Sequence, residues 1–173
     1  MKKNKIGKCA VCGEKRKLTF EHVPPRAAFN DKPIYVQNFS HLYDKTSHVY
    51  GKRMKSNKGF GEYTLCKPCN NNTGDWYARD FADFAKQGMH ILKEERKSRE
   101  IVNFELMIKP LNVFKEIATM FLSADKLGVF LNTKGFKEFI LNREVKNFPE
   151  EIDIYMYCSL SVSYTHLTLP TKA

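Results

Sequence analysis

The chain has 173 residues, 42% of them hydrophobic, enough for one domain or one domain plus an appendage, and this excludes wholesale disorder. Its 29 Lys+Arg against 19 Asp+Glu leave a formal net charge of +10, which favours an anionic partner such as nucleic acid, although many small soluble proteins are simply basic. No apolar run approaches the roughly 20 residues needed to span a bilayer, which argues against a membrane protein and for a cytoplasmic one.

The N-terminal stretch MKKNKIGKCAVCG is basic and lacks a signal peptide's apolar run. It carries the first cysteine pair, Cys9-Ala10-Val11-Cys12, between Lys2, Lys3, Lys5 and Lys8 on one side and Lys15, Arg16 and Lys17 on the other. Lys17 to Phe20 predicts a short strand ending at Glu21-His22, and Val23-Pro24-Pro25 stops it, because proline has no amide to donate and restricts the residue before it. Residues 26–58 are polar with weak periodicity and read as a long loop or insertion, with a short helix near His41-Leu42-Tyr43 and a basic cluster at Lys52, Arg53, Lys55 and Lys58. Gly59 to Leu65 predicts a second strand. It leads into the second pair, Cys66-Lys67-Pro68-Cys69, which runs directly into Asn70, Asn71 and Asn72.

Beyond Cys69 the pattern turns helical. Trp76, Tyr77, Phe81, Phe84 and Ala85 form an apolar stripe, with Asp75 favouring the helix start and Gly88 a point of bending. Lys93, Arg96, Lys97 and Arg99 alternate with Glu94, Glu95 and Glu100 and read as a solvated helix face. Val102, Phe104, Leu106 and Ile108 alternate with Asn103, Glu105 and Met107 and predict a strand. Pro110 opens a helix carrying Val113, Ile117, Met120, Phe121 and Ala124, and Gly135 to Ile140 suggests another short helix. Ile152, Ile154, Met156, Cys158 and Leu160 predict a last strand, with Cys158 a core residue. Residues 161–173 are set aside: from Ser161 to Thr171 they back-translate into a transposase adapter used in sequencing-library preparation. They read as adapter read-through and not native protein, so His166 carries no functional weight and the native chain continues past Leu160.

Two CxxC turns present four thiols, and in a reducing compartment such pairs are metal ligands more often than disulfides. Zinc takes four soft ligands in a tetrahedron, so Cys9, Cys12, Cys66 and Cys69 would close a structural site that pins distant segments together. His41, His48 and His90 have no partner at ligand spacing and read as loop or helix-surface residues, and Trp76 and Tyr77 read as core. Asn70 to Asn72 are also good helix caps.

The order of these parts resembles the HNH endonucleases, common in phage and bacterial genomes. That order is CxxC, an acidic residue plus His at a strand end, a variable stretch, then LCxxCN entering a helix. The matching residues are Cys9, Cys12, Glu21, His22, Leu65, Cys66, Cys69 and Asn70, and the likeness covers residues 7–80. The resemblance implies an α+β fold, with a ββα-metal core stapled by a four-cysteine zinc site. It implies that His22 is the general base for the attacking water, a task suited to imidazole. Glu21 and Asn70 would hold a catalytic Mg²⁺ or Mn²⁺ by oxygen, leaving zinc a structural role. The substrate would be double-stranded DNA. Two departures stand out. The family's middle Asn or His falls here among Gly61, Glu62, Tyr63 and Thr64, with Asn57 the nearest amide, so the residue that orients His22 is unassigned. The family's lysine after the last cysteine is replaced by Thr73 and Gly74.

The sequence thus leads to an HNH nuclease domain with zinc knuckles over residues 1–90 and an α+β accessory region over 91–160. The expected activity is metal-dependent phosphodiester hydrolysis. The alternatives are an inactive zinc-stabilised nucleic-acid-binding module and a zinc-clamped adaptor that binds protein through the C-terminal region.

Overall fold

The structure, a computed structural model, describes residues 5–38, 40–94 and 103–155. It is a mixture of helix and strand, as an α+β fold requires. The first knuckle is itself a hairpin turn. β1 (Ile6–Lys8) pairs antiparallel with β2 (Lys15–His22), with Ile6 opposite Lys17 and Lys8 opposite Lys15. The cysteines sit in the connection, where Gly13 takes the left-handed conformation (φ 77°) and its amide donates to Cys9 O at 2.9 Å.

Residues 23–60 form the expected excursion, and α1 (Ser40–Tyr43) falls where a short helix was predicted. The excursion also contains a two-stranded ribbon that the sequence reading missed: β3 (Ile34–Val36) pairs antiparallel with β4 (Met54–Ser56). The chain then returns as β5 (Gly61–Cys66), antiparallel to β2, giving a three-stranded sheet in the order β1-β2-β5. Pairing shifts after Thr19, so that Leu65 faces Thr19 and Tyr63 faces Phe20, and Thr64 is skipped. The carbonyl of Thr64 accepts from Ala10 N at 2.9 Å, so the bulge ties β5 to the knuckle.

Cys66 is the last residue of β5 and the N-cap of α2 (Lys67–Thr73), with Pro68 in the first turn, where its missing amide costs nothing. A π-helical turn, Gly74–Ala78, joins α2 to α3 (Arg79–Glu94). Asp75 therefore lies within the turn and not at a helix start, and α3 runs through Gly88 as one element. The wider turn accompanies a buried Tyr77, whose hydroxyl donates to Ile140 O at 2.9 Å, while Trp76 stays half-exposed beside Arg143.

The rest of the described chain is α4 (Pro110–Ala124), α5 (Val129–Asn132) and α6 (Phe136–Leu141). Of the two strands expected here, the first requires correction and the second lies only partly within the described residues. Residues 103–109 pair with no strand among the described residues, and the Gln87 side chain stands where a neighbouring strand would. Its Nε2 donates to Met107 O at 2.9 Å and its Oε1 accepts from Met107 N at 2.9 Å. Ile152 sits in a turn, its amide donating to Pro149 O at 3.2 Å, and residues 152–155 form no strand; Met156, Cys158, Leu160 and His166 lie outside the described residues.

Of the apolar residues that the sequence reading placed on α4, Val113 is buried. Phe121 and Ala124 are exposed, Ile117 and Met120 are partly buried, and the buried face is Val113, Lys115, Glu116, Ala118, Thr119, Leu122 and Ser123. One apolar core joins Cys9, Val11, Leu18, Leu65, Cys66 and Cys69 to Ala118 and Leu122 of α4 and to Phe136, Phe139 and Ile140 of α6.

Candidate metal centre and the adjoining Glu-His strand

The four cysteines meet at one point. The sulfurs of Cys9, Cys12, Cys66 and Cys69 all lie within 4.8 Å of one another, and among the described residues no other group of three or more His, Cys, Asp or Glu gathers so closely. Cys12 Sγ and Cys66 Sγ are 3.9 Å apart, too far for a disulfide, and all four thiols are free. Zinc–sulfur bonds of about 2.3 Å give a tetrahedron with edges of about 3.8 Å, so the spacing suits zinc. Cys66 N donates to Cys9 Sγ at 3.3 Å, a bond that links the two knuckles. Burial, followed by the neighbouring thiols, pushes the Cys69 thiol well above its ordinary range, a cost that a bound cation would reverse. From α6, Lys137 Nζ donates to Cys12 O at 3.2 Å, tying the first knuckle to the C-terminal helices.

The cluster sets where α2 begins, and α2 carries Asn70 against β2. Asn70 Nδ2 donates to Thr19 Oγ1 at 2.9 Å and to Phe20 O at 3.3 Å. Phe20 O belongs to the peptide that joins Phe20 to Glu21, so Asn70 is fastened one peptide from the Glu-His pair. Its Oδ1 accepts no hydrogen bond among the described residues. Thr19 Oγ1 in turn donates to Leu65 O at 2.9 Å, which locks the bulge.

Glu21 and His22 are consecutive strand residues, and their side chains therefore leave β2 on opposite sides. Glu21 is buried, 9% exposed, and makes no side-chain hydrogen bond among the described residues; burial pushes its carboxyl up to about 7. His22 is half-buried with its ring edge-on to Phe20, centroids 5.0 Å apart, and Phe20 meets Tyr63 in the same manner at 5.5 Å. No side-chain hydrogen bond orients His22 among the described residues.

Two participants were missed in the sequence. Asn30, 7% exposed, closes the base of the excursion: its Nδ2 donates to Pro24 O at 2.6 Å and Phe60 O at 2.7 Å, and its Oδ1 accepts from Phe60 N at 2.7 Å. The chain passes so close that a Cβ on Gly59 would lie 2.2 Å from Asn30 O. Asn57, the amide nearest the expected middle position, is exposed in the turn after β4. The second is Glu116 of α4, 2% exposed, whose carboxyl is pushed up to about 8 by burial and then by the charge of Glu21. No motif flags Asn30; the one signal for Glu116 is a carboxylate among the apolar positions of an amphipathic helix.

Away from this site, Lys5, Lys8, Lys15, Lys17, Lys52, Arg53, Lys55 and Lys58 are exposed, and Arg16 is paired with Glu14. His41 Nδ1 lies 3.2 Å from Lys52 O, and His48 and His90 are exposed. No family model matches the chain, and neither does any curated protein or solved structure. Among the described residues no helix is long and apolar enough to cross a membrane.

Proposed function

We propose that the chain is a metal-dependent endonuclease of the HNH type, hydrolysing phosphodiester bonds in double-stranded DNA. The observation that carries this reading is the strand–strand–helix unit clamped by four thiols. Within it, β2 ends at Glu21-His22, and α2, entered directly from the thiol cluster, bonds Asn70 to the peptide preceding Glu21.

The residues divide the work. The His22 imidazole takes the proton from the attacking water at a ring nitrogen. The orphaned Glu21 carboxylate and the Asn70 Oδ1 are hard oxygen donors, the set that Mg²⁺ or Mn²⁺ takes beside phosphate oxygens and water. A cation held there would supply positive charge to the phosphate and the departing oxygen. The exposed lysines of β1, β2 and β4 meet the phosphate backbone, so binding weakens steeply with salt. The thiol cluster, with all four positions filled, keeps the elements in register and takes no part in the chemistry.

One observation favours a second reading, an inactive zinc-stabilised nucleic-acid-binding module: Glu21 and His22 leave β2 on opposite sides, and no hydrogen bond among the described residues orients the imidazole. Supercoiled plasmid incubated with the protein and Mg²⁺ or Mn²⁺ separates the two. The nuclease nicks it, and His22→Ala abolishes nicking while leaving DNA affinity and zinc content unchanged. DNA bound equally by both proteins and cut by neither sinks the nuclease in favour of the binding module. No DNA bound at low salt points to a protein-binding adaptor.

A further inference from the structure

The excursion between Asn30 and Phe60 carries charge and aromatic surface that the fold itself does not use. Residues 31–58 contain six Lys+Arg (Lys32, Lys45, Lys52, Arg53, Lys55 and Lys58) against two acids, Asp31 and Asp44. All six are exposed, and none enters an ion pair among the described residues. Asp44 is engaged within its own loop, its carboxylate accepting from Thr46 N at 3.0 Å and from Thr46 Oγ1 at 2.6 Å. The excess positive charge faces solvent, where it suits a polyanion.

The ribbon gives that surface a shape. Tyr35 of β3 stands opposite Lys55 of β4, so both side chains leave the same face, and Tyr35 is 69% exposed there. On the other face Ile34, Val36 and Ser56 are half-buried. Arg53, the one arginine of the interval, leads directly into β4. Two strands about 4.8 Å apart fit the major groove of B-DNA, about 12 Å wide, which admits a two-stranded ribbon. The same lysines oppose the addition of a protein strand to the ribbon's edge. The ladder of β2 and β5 runs on past the His22–Gly61 pair, with Val23 N donating to Phe60 O at 3.2 Å, and Asn30 holds Phe60 through both its amide and its carbonyl. The ribbon is thus rooted at the end of the sheet that carries His22.

We propose that the β3–β4 ribbon enters the major groove and reads the sequence of the duplex, with Arg53 and Tyr35 against base edges and Lys52, Lys55 and Lys58 on the flanking phosphates. The proposal rests on the reading of double-stranded DNA as the substrate and adds the element that selects where it is bound. The Arg53 guanidinium offers paired donors to guanine O6 and N7, and Tyr35 offers its hydroxyl and ring edge. The phosphate contacts fix the register of the ribbon and carry no sequence information themselves.

The test is selection of duplexes from a random-sequence DNA pool by the zinc-loaded full chain without Mg²⁺ or Mn²⁺, for wild type, Arg53→Lys, Tyr35→Ser and Lys55→Ala. Zinc content and far-UV circular dichroism verify the fold of each variant. The wild type is expected to enrich a short motif. Arg53→Lys keeps the charge and loses the paired donors, so it relaxes the motif at one position and weakens binding of the enriched duplex roughly tenfold, while the unselected pool is bound as by wild type. Tyr35→Ser relaxes another position. Lys55→Ala weakens all duplexes alike and leaves the motif as it was. A motif unchanged in both Arg53→Lys and Tyr35→Ser overturns the proposal, as does a wild type that enriches no motif or binds no duplex at low salt; plasmid nicked by a wild type without a motif leaves the nuclease reading intact. A motif that depends on Arg53, with plasmid left uncut in Mg²⁺ or Mn²⁺, overturns the nuclease reading and leaves the proposal standing.

Discussion

Glu21 and Glu116 are acids that folding moves out of water, and this sets the sign of a pH effect. Their carboxyls rise from 4.5 to about 7 and about 8, so above pH 4.5 the unfolded chain releases protons that the folded chain keeps. Without divalent cation, stability is therefore fully present below pH 4.5, falls as pH rises, and levels off once both groups have titrated in the folded state. Urea unfolding at pH 5, 7 and 9 is expected to show this decline in wild type and a shallower one in Glu116→Gln, which has one buried acid fewer. A wild type as stable at pH 9 as at pH 5 would mean that neither group is desolvated. The same residues show why only part of the candidate site was legible in the sequence. Glu21, His22 and Asn70 announce themselves by standing beside cysteine pairs. Glu116 and Asn30 lie in unmarked surroundings, and only packing gives them their neighbours.

At the level of elements, β2, β5 and α2 were readable because turn residues and cysteine spacing mark their ends. The ribbon β3–β4 was not: its strands are short, with Tyr35, Met54 and Lys55 exposed, so no apolar alternation is written into them. Residues 103–109 fail in the opposite direction. Their alternation is real, with Leu106 and Ile108 lining an apolar cavity of about 650 Å³ beside Phe84, Val113 and Phe121. A strand, however, needs a backbone partner, and here the Gln87 amide imitates one peptide of it. Gln87→Ala removes both bonds to Met107. It is expected to cost about 1–2 kcal/mol and to speed exchange of the Met107 amide proton, with little effect on amides of β2. Unchanged protection at Met107 would show that packing alone holds the segment. Helix α4 was placed correctly from Pro110 onward, but attention to its apolar residues passes over Lys115, Glu116, Thr119 and Ser123, which are buried beside Val113.

For the molecule as a whole, the thiol cluster and the C-terminal helices share a core, so a metal held by the four cysteines would be coupled to the fold throughout. Cys66 and Leu65 pack with Ala118, Leu122 and Phe136, and Lys137 reaches back to the first knuckle. Stripping the metal with a strong chelator, or replacing Cys66 with Ser, is expected to lose helical circular dichroism from α4 and α6 together with the sheet, in one transition. Survival of most of the helical signal would mean that the C-terminal helices stand without the cluster. The excursion between His22 and β5 is the exception to this coupling. Asn30 and Phe60 close its neck, and the interval between them, residues 31–58, joins the frame there. Because the cost of closing a loop grows only slowly with its length, lengthening, trimming or exchanging the interval leaves the strand ends where they are. In engineering terms it is a socket: a domain that selects a different target, or a reporter, plugs in there without disturbing the frame.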